Sequence, residues 1–440
     1  MYAGLQRAHP FSNRTPTQRT IISPQDCSRY SASLPNQSPS SSLPHGALGR
    51  DHRIDVLRGV SILLVLILHF HIAYNLADSP FATFLSANFI EALARNGNYG
   101  VTIFFVISGY LITPTSLRRF GKLENVSARR FYAFRFARII PCLVLVLLII
   151  TTLGLARVPW FANNGKHGVS FFLADLSVLT FWHNVLMAKF GYFNYGLNVL
   201  WSLSVEEVFY FTFPLLCLVL RKGWLIVIVW IAAILYGPIY RSHHADNEIL
   251  FLYGYFACFD AIALGCCMAL LSKFLRGENG TSSSTRVENA LHAPKDETKR
   301  RIGFSPVVRN TVQGVAAIFM AWIYLRQPID EAAIWGPTLM AMGAALFVLA
   351  EAAAPLSSNA PLLVKWEPIG WLGQRSYELY LFHVVVLAAM RNFIDGRDDI
   401  HARQKPLWFL LFLVLAIMVA ATIARFYSEP LNHRIRRSLA

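Results

Sequence analysis

Ten apolar runs, each about 18 residues or longer, recur along the chain with short polar intervals between them, near 54–76, 98–116, 138–156, 204–220, 223–240, 251–272, 309–326, 332–354, 374–391 and 407–426. A helix rises 1.5 Å per residue, so runs of this length cross roughly 30 Å of hydrocarbon. The pattern predicts an all-α fold, a polytopic membrane bundle of about ten transmembrane helices. A further apolar stretch, FFLADLSVLTFWHNVL near 171–186, carries Asp175 and His183. It reads as a re-entrant or interfacial piece, because one more crossing would put the basic 273–308 segment on the other side of the membrane.

Composition agrees with that class. Of the 440 residues, 55% are hydrophobic and 15% charged, too apolar a balance for a chain wetted on all sides. Placing the N-terminus in the cytoplasm puts 30 of the 40 Lys and Arg on that side, as the positive-inside rule requires. Both termini are therefore expected to be cytoplasmic, with the protein multi-pass in the inner (plasma) membrane. The formal net charge of +15 then reflects topology and argues against a nucleic-acid partner. Residues 1–50 form a Ser- and Pro-rich basic tail, expected to be disordered and without a cleavable signal. Residues 51–437 make up the membrane domain, interrupted by a flexible cytoplasmic loop at about 273–308. The six cysteines suggest neither a disulfide framework nor a metal site, and no glycine-rich phosphate loop occurs.

Ionisable side chains inside apolar runs are costly and usually mark function. Arg58 and His69 both fall in the first run, IDVLRGVSILLVLILHFHIA. Eleven residues are close to three helical turns, so the two share a face and lie roughly 16 Å apart along the axis. A histidine at mid-membrane can take and return a proton near neutral pH, which suits a general base for a hydroxyl; a packing hydrogen bond is the other reading. His71 points away and fits that second role. Ser108 and Gly109 in GVTIFFVISGYLI either let a neighbouring helix come close or offer a hydroxyl beside an acyl chain. In FRFARIIP, Arg135 and Arg138 stand three apart at the membrane threshold. With Arg58 their planar forks suit the phosphates of a nucleotide-linked donor, whereas Arg118, Arg119, Arg129 and Arg130 read as anchors. In WSLSVEEVFYFTFP, Trp201 offers a stacking face for a sugar ring, Ser202, Ser204 and one glutamate can bond acceptor hydroxyls, and Glu206 is the glutamate expected to face the bundle. RSYELYLFHVVV holds a second intramembrane histidine, His383, while Glu378 and Glu429 are expected in ion pairs within the bundle.

Together the segments RGVSILLVLILHFH, GVTIFFVISGYLI, FYAFRFARIIP, WSLSVEEVFY, SYELYLFH and FYSEP resemble the acyltransferase 3 family of bacterial integral-membrane O-acyltransferases. The resemblance implies a ten-helix bundle in the stand-alone form, without a fused periplasmic hydrolase-like domain. It implies transfer of an acetyl or other short acyl group from acyl-CoA, a co-substrate and not a bound cofactor, to a hydroxyl of a cell-surface glycan or lipid-linked saccharide. His69 would match the family's essential histidine, Arg58 its partner, Arg135 and Arg138 the donor arginines, and Glu206 the acidic position; from their own chemistry, Ser108 is expected beside the donor and Trp201 and Ser204 at the acceptor. A covalent acyl intermediate is left open. The rival reading is a proton-coupled transporter or flippase of an anionic glycan precursor. Against it stands the lack of inverted-repeat similarity between the two halves.

Overall fold

The structure, a computed structural model, describes residues 51–163, 168–276, 304–326, 328–329, 331–352, 366–394 and 400–439. The expected tail, 1–50, lies outside the described residues, as does most of the expected loop at 273–308. All described residues belong to one compact unit, Asp51–Ala440.

In chain order the α-helices are α1 (His52–Tyr74), α2 (Ala87–Arg95), α3 (Asn98–Phe120), α4 (Ala128–Leu155), α5 (Phe171–Leu179), α6 (His183–Phe190), α7 (Trp201–Leu220), α8 (Gly223–His243), α9 (Glu248–Tyr253), α10 (Tyr255–Leu275), α11 (Pro306–Arg326), α12 (Gly336–Ala352), α13 (Glu367–Gln374), α14 (Ser376–Ile394), α15 (Lys405–Ile423) and α16 (Glu429–Leu439). No strand occurs among the described residues. A helix stands at each of the ten expected runs. Among the described residues, eight helical segments are long and apolar enough to cross a bilayer. The two that fall short are α11, whose first half PVVRNTVQ is polar, and α12, with 17 residues. The polar half of α11 is used in packing: Arg53 of α1 donates to Gln313 and, at 2.9 Å, to Asn310, and reaches Glu351 of α12 at 3.4 Å. Hydrogen bonds inside apolar surroundings carry this contact where hydrophobic burial cannot.

The stretch at 171–186 does not cross. It breaks into α5 and α6, nine and eight residues long, each spanning roughly 13 Å. Asp175 accepts from Thr151 at 2.8 Å. His183 is enclosed, its Nδ1 bonded to Ser177 Oγ at 2.8 Å. Burial pushes its pKa down to about 3, so the ring stays neutral at physiological pH.

The bundle is tightest where α3 lies along α10. A Cβ on Gly109 would sit 1.9 Å from the Ile262 carbonyl oxygen, and one on Gly265 would sit 2.0 Å from that of Val106. Gly109 is thus the half of the Ser108-Gly109 pair that admits a neighbouring helix. Gly265→Val is expected to destabilise the purified protein by about 3 kcal/mol, the upper range for overpacking, read as a lowered Tm in detergent. Gly314→Val, where a Cβ meets nothing within 4 Å, serves as the control. Equal melting of the two variants would show that the helices separate freely.

Candidate active site: two cavities and the partition between them

Two hollows enter the bundle from opposite ends. The first, of about 250 Å³, is lined by residues from the start of α1 and α4, the end of α3 and the last helix, including Arg58, Ser108, Arg119, Arg135, Arg138, Glu206, Glu207 and Arg436. The second, of about 810 Å³, is lined from the end of α1 and the start of α3 and α7, including His69, Asn98, Tyr192, Trp201, Glu248 and Tyr253. Val101 and Tyr380 belong to the walls of both. They form the partition between an arginine cavity and a histidine cavity. Tyr380 is fixed there by its hydroxyl, which accepts from Ser202 Oγ at 2.6 Å and donates to the Val199 carbonyl at 2.8 Å.

In the arginine cavity charge is largely matched at depth. Arg135 reaches Glu206 at 2.8 Å and Glu207 at 3.2 Å, with its guanidinium 3.5 Å above the Tyr210 ring. Ser108 Oγ donates to Glu206 at 2.7 Å. Arg58 donates to Ser376 Oγ at 2.8 Å and lies 3.9 Å from Asp55. Arg138, by contrast, is exposed at the mouth, with no carboxylate within ion-pair distance among the described residues. Five arginines against two glutamates line this cavity, a positive surface suited to a polyanion.

A histidine pair stands at the histidine cavity, His69 on its wall and His383 in contact with it. His383 is wholly buried, and its Nδ1 lies 2.8 Å from the Tyr380 carbonyl and 3.0 Å from that of Leu379. Carbonyls only accept, so this nitrogen carries the proton and Nε2 of the neutral ring is an acceptor. Nδ1 of His69 stands 3.3 Å from that Nε2 and 2.8 Å from the Val65 carbonyl, two acceptors for one N–H. Nε2 of His69 is then left as the unprotonated nitrogen, on a ring that lines the cavity. That is the tautomer a general base requires. The rings meet edge-on, with centroids 4.8 Å apart. His71 makes structural bonds only: its Nδ1 accepts from the Leu76 amide at 3.1 Å and its Nε2 lies 3.2 Å from Glu91.

A family model described as an acyltransferase domain matches residues 51–425. The chain belongs to the acyltransferase 3 family. Similar proteins include O-acetyltransferase OatA of Staphylococcus aureus, 24% identical over 87% of this chain and 57% of its own length. Peptidoglycan O-acetyltransferase OatA of Listeria monocytogenes is 26% identical, over 86% and 55%. The putative peptidoglycan O-acetyltransferase YrhL of Bacillus subtilis is 25% identical, over 79% and 52%. The chain thus spans about half the length of these curated relatives. No solved structure matches it.

Of the candidate site residues, Arg58, Ser108, Arg135, Arg138 and Glu206 meet in the arginine cavity, while His69 and Trp201 line the histidine cavity. Several expectations are corrected. Glu206 does not lie with Trp201 but on the arginine side, engaged by Arg135 and Ser108. Both glutamates, and not Glu206 alone, face the bundle: each lines the arginine cavity, Glu207 being the more deeply enclosed at 5% side-chain exposure against 24%. Ser204, 1% exposed, lines neither cavity and accepts from the His183 amide at 3.2 Å. Nor do the two later glutamates sit in ion pairs among the described residues: Glu378 accepts from Ser428 Oγ at 2.6 Å, and Glu429 is exposed. Sequence reasoning missed Tyr380 as the partition, Tyr253 packed at a tilt against Trp201 with ring centroids 4.4 Å apart, and Arg436 at the cavity mouth. The one available signal was for Tyr380, which stands three residues before His383 and so shares its helix face.

Proposed function

We propose that this chain is a membrane O-acyltransferase that moves an acetyl or other short acyl group from acyl-CoA to a hydroxyl of a cell-surface glycan, peptidoglycan being the acceptor that the relatives' names suggest. The observation that carries this reading is the pair of hollows meeting at Tyr380, one arginine-rich and one holding an imidazole tautomer fit for proton abstraction. The positive-inside count supports a cytoplasmic arginine cavity and a histidine cavity open to the outer side of the inner membrane. In this scheme the donor enters with its phosphates at the arginines and its thioester toward Tyr380 and Ser202. The acceptor sugar stacks on Trp201 and Tyr253. Nε2 of His69 takes the hydroxyl proton as the oxygen attacks the thioester carbonyl; the C–O bond forms, the C–S bond breaks, and the proton passes to the leaving thiolate. Arg135 holds Glu206 and Glu207, and His383 is a positioning residue that sets the His69 tautomer.

A proton-coupled transporter would also have hollows at both ends. Purified protein given acetyl-CoA labelled in the acetyl group separates the two readings. Release of free CoA thiol with label transferred to water or a glycan supports the enzyme, and an absence of thioester turnover overturns it.

A further inference from the structure

Three arginines crowd the mouth of the arginine cavity from three different helices: Arg119 at the end of α3, Arg138 on α4 and Arg436 on α16. All three are exposed, and among the described residues none has a carboxylate within ion-pair distance. Arg436 instead feels the like charges of Arg138 and Arg119. Like charges gathered without an ion-paired carboxylate cost energy, which an anion bound among them recovers. Arg119 is held in place by the Phe134 ring, 3.7 Å beneath its guanidinium, so less freedom is lost when it grips a ligand. Deeper in the cavity the arginines are already engaged, Arg58 by Ser376 and Arg135 by two glutamates.

The last helix reaches the mouth by a specific route. A π-helical segment, Ala424–Ser428, joins α15 to α16. Its Tyr427 hydroxyl donates to the Pro141 carbonyl at 3.3 Å and its Ser428 to Glu378 at 2.6 Å. These bonds tie the segment to α4 and α14, and α16 then runs against α4 with Arg436 beside Arg138. Irregular turns of this kind are frequent at functional positions.

We propose that Arg119, Arg138 and Arg436 form one seat for a phosphomonoester, and that α16 is therefore part of the donor site. Resting on the acyl-CoA reading above, the phosphate seated there is the 3′-phosphate of the nucleotide. The slimmer thioester arm runs on toward Tyr380. A doubly charged, multidentate group suits three converging guanidiniums better than a singly charged diphosphate oxygen does.

The test uses the full chain in lipid nanodiscs, with acetyl-CoA and 3′-dephospho-acetyl-CoA as donors and free CoA as a binding probe. The wild type is expected to favour acetyl-CoA over the dephospho donor by roughly 10-fold in kcat/KM, the effect of one or two charge-assisted hydrogen bonds. Arg436→Gln and Arg119→Gln should each lose about that factor on acetyl-CoA, chiefly through KM, and should no longer distinguish the donors; Arg436→Lys should recover part of the preference. If the wild type turns over acetyl-CoA but the glutamine variants prefer it as strongly as the wild type does, the seat is refuted while the acyl-CoA reading stands. If the wild type neither binds CoA nor turns over either donor, both are refuted.

Discussion

His69→Ala is expected to reduce acyl transfer by about 100- to 10,000-fold, the range for removing a general base. The ring is only partly buried, on the wall of the histidine cavity, so the variant should still fold, with a Tm close to that of the wild type. Labelled acetyl-CoA and purified protein give the rate. His383 offers a graded companion test. His383→Phe removes the acceptor at 3.3 Å from His69 Nδ1 and leaves the Val65 carbonyl alone to hold the proton there, which weakens the bias toward the productive tautomer. Gln, whose side-chain oxygen can stand near the position of the lost Nε2, should restore much of the rate. A His69→Ala enzyme within threefold of wild type would remove the imidazole from the chemistry. Equal losses in the Phe and Gln variants would reduce His383 to packing.

The second large effect concerns stability. Arg135 lies between two carboxylates, at 2.8 and 3.2 Å, and its side chain is 18% exposed. Arg135→Met leaves both glutamates without their cation in a largely apolar setting. Stranding a buried partner costs roughly 3–5 kcal/mol, and partial exposure argues for about 3 kcal/mol here. Thermal unfolding in detergent should show it as a drop of several degrees in Tm. Adding Glu207→Gln to the Met variant should return part of the loss, because the stranded charge and not the lost side-chain bulk is the cause. If the double variant melts no higher than Arg135→Met, packing around the guanidinium is what matters and the charge account is wrong.

Helix positions were legible because each apolar run had to be a helix once it lay in hydrocarbon, and the eleven-residue spacing of Arg58 and His69 needed only helical geometry. What could not be read was how helices are rotated against one another. Trp201 and Glu206 are neighbours in the chain, yet five residues turn about 140° around a helix, so they open into different cavities. The occupation of Arg135 by Glu206 and Glu207 joins residues 71 and 72 positions apart, a pairing that no local pattern announces. Arg119 looked like an anchor, and Arg436 drew no notice, because their charge fits the positive-inside rule equally well whether they face lipid headgroups or a ligand. Arg241 was overlooked altogether. It is wholly buried, bonded to Asp260 at 3.0 Å and to Thr338, although it stands just past the end of the apolar run 223–240, where a basic residue reads as lying outside the bundle.

The thin wall at Tyr380 and Val101 also has an electrical consequence. Water and ions filling a hollow from each face carry the potential of each face inward, so the voltage across the bilayer drops over the narrow layer that remains instead of over the full hydrocarbon thickness. Moving one elementary charge through that layer is worth about 2.3 kcal/mol per 100 mV. Tyr380 and Val101, the two side chains common to both walls, stand in that layer, and any proton released there moves in a steep local field.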